Sequence, residues 1–321
     1  TALLIVVSGL LWGRLTKRTI ASTNEQTVPR WLVIGAMLVG LVVGFGWLKG
    51  VPRWPPRQAF DRLLVYIFPV LILLELFVSR AQQVRTWWRF HQGRDWIRSV
   101  MHGTLAVVVP AVAIRILLHG SIYLNQWTVA KSLQHLSLIF FVSLVWLVLA
   151  WVFDELAEGN VIPNRNPGIG LALIAALLAC SATLMLTGYV TGGAAAMPFV
   201  GVMVGVQIAL GRRRDIEATR AFVGVGLTGL MLLVLLGWYF GGLATWQGAV
   251  ILFSPALLLV PRWLWPVRET AAEELRRVRL RRMISGLLLV VVPLSLLVVQ
   301  AKRDFDRKYE PLRFRRAGSP P

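Results

Sequence analysis

Residues 221–240 read AFVGVGLTGLMLLVLLGWYF and residues 283–300 read MISGLLLVVVPLSLLVVQ, two stretches with no charged side chain between them. A bilayer hydrocarbon core about 30 Å thick takes roughly 20 apolar residues of helix, so each reads as a membrane-spanning α-helix. Working outward, further apolar runs ended by charge, Trp or Gly fall at 2–13, 31–48, 63–79, 100–119, 135–153, 168–187, 191–210 and 247–265. The expected fold is therefore all-α, a polytopic bundle of about ten transmembrane helices in one domain, residues 1–300, followed by a basic polar tail, residues 301–321. The run 2–13 is short for a span and follows no basic region, so nine helices is the alternative count.

Composition agrees with that class. The 321 residues are 56% hydrophobic and 15% charged, and the mean hydropathy is +0.66. A soluble domain carries roughly 25% charge, and a disordered chain needs low hydrophobicity, so both are excluded. The formal charge of +19 comes from 34 Lys and Arg against 15 Asp and Glu. In a membrane protein such an excess belongs to loops that set orientation and meet anionic headgroups, and no nucleic-acid partner is inferred from it. The single cysteine, Cys180, lies in an apolar run, so neither an intramolecular disulfide nor a thiolate metal cluster can form.

Lys and Arg counted in alternate loops give an orientation. Residues 14–30, 80–98, 154–167, 211–220 and 262–282 carry 21, whereas 49–62, 120–134, 188–190 and 241–246 carry 5. The first set is expected on the cytoplasmic side. The tail conflicts with this: it falls on the other side, yet carries 7 basic residues. Segment 80–98 interleaves Arg85, Arg89 and Arg94 with Trp87, Trp88 and Trp96, the pattern of a helix lying on anionic lipid. Segment 268–282 sets Glu273 four residues before Arg277, which suits a charged cytoplasmic helix extending the last span.

Ionisable groups inside spans are costly and rank first as functional candidates. Glu75 and His102 lie about one turn from the same end of adjacent spans, where they could share a proton; with Gln207 they are the transport or proton-relay candidates. The competing reading is a structural pair that pins two helices. Arg115 and His119, four residues apart on one helical face, are the anion or headgroup candidates together with Arg85, Arg89 and Arg94. Here the competing reading is a side chain that merely snorkels to the interface. Pro69, Pro110, Pro198, Pro255 and Pro293 interrupt spans and free backbone carbonyls. Gly40 and Gly44, and Gly201 and Gly205, stand at the four-residue spacing that lets helices approach closely.

No zinc-protease, nucleophile-elbow or phosphate-loop motif occurs, so no catalytic residue, metal or cofactor is expected. The leading expectation is a permease for a small solute or lipid working by alternating access in a bacterial cytoplasmic membrane. The alternative is a non-catalytic subunit or scaffold of a larger membrane complex. Expected partners are membrane lipids, with other membrane subunits or a second copy of the chain.

Overall fold

A computed structural model of the chain describes residues 30–49, 59–62, 167–211, 216–264 and 272–317, with isolated positions between 112 and 144. The described residues form helices and turns, with no strand among them. The helices are α1 (Arg30–Lys49), α2 (Ala59–Arg62), α3 (Pro167–Leu186), α4 (Val190–Gly211) and α5 (Ile216–Phe240). After them come α6 (Thr245–Phe253), a 3-10 segment (Ser254–Leu259), α7 (Val260–Leu264) and α8 (Ala272–Ala317).

Four of these are long and apolar enough to cross a membrane: Gly168–Leu186, Val190–Ile208, Phe222–Phe240 and Leu280–Lys308. They mark the chain as an integral membrane protein, and they coincide with the runs expected at 168–187, 191–210, 221–240 and 283–300. The expected span 31–48 is the apolar helix α1. The runs at 2–13 and 63–79 lie outside the described residues, as do most positions of 100–119 and 135–153.

The chain divides into two compact units. One comprises residues 1–167 and 201–232; the other comprises 168–200 and 233–321. In the first unit, α1 buries Met37, Leu41, Gly44 and Phe45 on one face and exposes Val39, Val42, Val43 and Trp47. A Cβ added at Gly40 would stand 2.7 Å from Val202 Cγ2, so glycine allows the close approach to α4.

In the second unit, α3 and α4 form a hairpin closed by Thr187, Gly188 and Tyr189. The Tyr189 N–H donates to Leu184 C=O at 3.0 Å and the Gly188 N–H to Met185 C=O at 3.2 Å. This is a Schellman cap, and it requires the left-handed backbone that Gly188 adopts at φ 101°. The two helices touch at Gly193, where an added Cβ would meet Met185 and stand 2.6 Å from Ser181 O. The turn after α5 lies beside this cap: an added Cβ at Gly241 would be 3.1 Å from Tyr189 Cβ, and the rings of Tyr189 and Phe240 are 6.5 Å apart. Burial pushes the Tyr189 phenol above its ordinary range.

α8 continues without a break from the charged segment through the apolar span into the tail. The residues expected to form a polar tail thus extend the helix as far as Ala317. Of its apolar stretch 22% is buried, against 78% for Phe222–Phe240; α5 is enclosed, whereas α8 is covered along one side only. The covered stripe is Gly286, Val290, Leu294, Leu297 and Ala301, spaced at helical intervals.

Candidate functional site

The expected span 247–265 is not one regular helix. α6 begins after Gly242, whose φ of 63° reverses the chain. Its N-cap, Ala244, has no side-chain acceptor, but the Gln247 side chain folds back so that the Ala244 N–H donates to Oε1 at 3.1 Å. That contact pairs a helix-end amide with the oxygen of a buried carboxamide.

The helix then meets Pro255, which lacks an N–H and so frees the carbonyl of Ile251. The Ser254 hydroxyl donates to that carbonyl at 2.9 Å, and Ser254 is 1% exposed. A free carbonyl in an apolar interior costs about 1–3 kcal/mol, and here the residue preceding the proline covers it. The backbone tightens into the 3-10 segment, in which the Val260 N–H reaches Leu257 C=O. Pro261 then prevents a regular continuation through Leu257.

The 3-10 segment is held from two sides. An added Cβ at Gly286 would lie 2.9 Å from Leu258 Cδ2 and 3.6 Å from Leu258 Cα; one at Gly168 would lie 3.9 Å from the same Cδ2 and 3.6 Å from Met283 Cγ. Leu258 is thus a knob between two glycines, one on α3 and one on α8. α8 packs against α7, the 3-10 segment and α6. Sequence reading singled out Pro255 but passed over Gly168 and Gly286, because neither belongs to a four-residue glycine spacing.

The remaining candidates fall as follows. Gln207 is on α4, half-buried, with its side chain engaged. Arg115 is helical and exposed. Gly44 is buried on α1, while Gly40 on α1, and Gly201 and Gly205 on α4, are half-buried. Glu75, His102, His119, Arg85, Arg89 and Arg94 lie outside the described residues.

The buried polar side chains in the described residues are Ser181, Thr183, Gln247 and Ser254. Each is hydrogen-bonded to backbone. Ser181 Oγ donates to Gly193 C=O at 2.7 Å, joining α3 to α4, and Thr183 Oγ1 donates to Ala179 C=O at 2.7 Å within α3. Cys180 is buried and in no disulfide. Among the described residues no cluster of three His, Cys, Asp or Glu could hold a metal. Ser181 and Gln247 thus join or cap helices, and Ser254 covers the carbonyl freed by Pro255. What α6, the 3-10 segment and α7 form is an interrupted helix, two α-helical pieces joined by a 3-10 turn.

No protein-family model, no curated protein and no solved structure matches the chain.

Proposed function

We propose that the protein is a multi-pass permease of a bacterial cytoplasmic membrane, moving a small solute or lipid by alternating access. The observation that supports this reading is the interrupted helix at Ser254 and Pro255, packed through Leu258 against the long span α8. Alternating access needs an element that bends within the membrane without exposing backbone polar groups, and the Ser254 hydroxyl supplies that protection. In this reading Glu75, His102 and Gln207 line the path, and Glu75 and His102 exchange the proton.

The test uses proteoliposomes containing the full chain, screened against labelled small solutes and a fluorescent phospholipid. The expected result is uptake of one class, abolished by Glu75→Gln with the fold retained. Uptake unchanged in that variant would remove Glu75 from the mechanism, and a wild type inert to the whole panel would remove transport.

A second reading, a non-catalytic subunit or scaffold, is favoured by a different observation: each buried polar side chain among the described residues is already engaged in a hydrogen bond to backbone. Mild-detergent extraction and native mass determination separate the two. A chain running alone or as a small homo-oligomer supports the permease, and a stoichiometric complex with other polypeptides supports the scaffold.

A further inference from the structure

The tail conflict in the charge count becomes a structural question once α8 is seen to be continuous. Between Arg282 and Lys302, residues 283–301 are free of charge. At 1.5 Å per residue they span about 29 Å, matching the hydrocarbon core of a bilayer. Basic residues therefore begin at both membrane surfaces.

The contacts of the second unit place the C-terminal surface. Gly168, the start of α3, lies beside Met283, the start of the apolar part of α8, so the two spans begin level. α3 ends at the Tyr189 cap, beside the turn at Gly241. Lys302 thus emerges on the same side as residues 187–189 and 241–244, which carry no Lys or Arg. Beyond it the stem holds Lys302, Arg303, Arg307, Lys308, Arg313, Arg315 and Arg316 against Asp304, Asp306 and Glu310.

The helical register then selects among these cations. α8 exposes Ile284, Leu288, Val292, Leu296 and Val299 on the side opposite its covered stripe. At about 100° per residue, Arg303 and Arg307 fall within roughly 20° of Leu296, while Lys302 lies about 120° away on the flank that carries Ile284, with Asp306 between them. Lys302, Arg303 and Arg307 are all exposed. The half of that apolar face nearest the cations, about 15 Å long, matches one leaflet and so the acyl chains of a diacyl phospholipid, and the cations at its end suit a net negative headgroup. Its chains lie along Leu296 and Val299, and its phosphate meets the two guanidiniums, whose planar forks donate bidentately to phosphate oxygens.

We propose that Lys302, Arg303 and Arg307 form a binding site for an anionic phospholipid on the membrane side where the neighbouring turns carry no cation. The site does not depend on whether the chain transports or scaffolds. It holds α8 at fixed depth beside turns that carry no Lys or Arg of their own.

The test is native mass spectrometry of the full chain, released from micelles containing equal phosphatidylglycerol and phosphatidylcholine. Wild type should retain phosphatidylglycerol in preference, and each cation replaced by Gln should weaken retention about fivefold. Raised ionic strength should weaken it in wild type, and Asp306→Asn should strengthen it. Arg303→Gln and Arg307→Gln singly keep the test open if the triple variant does not fold. Equal retention of the two lipids, retention unchanged in both single variants, or a second copy of the chain in place of lipid would each overturn the proposal.

Discussion

Ser254 shows how one hydroxyl decides whether a proline can sit inside an apolar helix. Without it the Ile251 carbonyl would be buried and unpartnered, a state that costs about 1–3 kcal/mol. Ser254→Ala should therefore lower stability by that amount, measured as a fall in the detergent-solubilised melting temperature, whereas Ser254→Thr, which keeps the hydroxyl, should lose much less. Gly193 carries a comparable constraint for a steric reason. Its added Cβ would stand 2.6 Å from Ser181 O and 3.0 Å from Met185 N, and backbone atoms cannot swing aside as a side-chain end can. Gly193→Ala should destabilise by about 1–3 kcal/mol and separate α3 from α4, losing the Ser181 hydrogen bond as well. At Gly188 the penalty is conformational: φ is 101° with nothing near the missing Cβ, so Ala there should cost about 1–2 kcal/mol through strain alone. Melting of the purified variants checks both glycines; unchanged melting would contradict the close approach at Gly193 and the left-handed turn at Gly188.

At the scale of the element, the interrupted helix joins local chemistry to motion. Pro255 removes one backbone hydrogen bond and Pro261 another, so the segment between them settles into 3-10 turns held by Leu258 between Gly168 and Gly286. Pro255→Ala restores the missing N–H and should favour continuous α-helix. If the segment is a hinge, that variant should be at least as stable as wild type while transport falls, because bending has become costlier. Stability and uptake measured on one preparation separate this outcome from simple misfolding, and unchanged uptake would make the interruption purely structural. Gly286→Leu tests the opposite face. A branched side chain where an added Cβ already meets Leu258 at 2.9 Å should push α8 away and destabilise the second unit.

Across the whole chain, the single buried cysteine makes topology directly measurable. Cys180 is fully buried, so a membrane-impermeant maleimide should leave wild type unlabelled in intact cells or spheroplasts. Thr245→Cys and Asp304→Cys, at exposed positions near one end of the second unit, should label from the same side. Arg213→Cys, in the connection between α4 and α5, should label from the other side. Labelling of Thr245→Cys and Asp304→Cys from opposite sides would mean that α8 does not cross. The amino-acid sequence by itself determined the helical class, the membrane environment and four spans to within a few residues, because uncharged runs of 18 to 20 residues leave the backbone no other way to satisfy its hydrogen bonds in lipid. It also showed Pro255, but not the consequence, since whether a freed carbonyl lines a cavity or is covered depends on the neighbouring hydroxyl and on what packs alongside. Gly168, Gly286 and Leu258 lie far apart in the chain, and only tertiary packing makes them one contact. In the same way, composition revealed the basic end of the chain, while the side on which it emerges, and the cations that share a face with exposed leucines, followed from the pairing of α3 with α8 and from the continuity of a 46-residue helix. Span formation is set by local hydrophobicity, whereas the meeting of spans is set by shape complementarity between distant residues, which no single stretch of sequence contains.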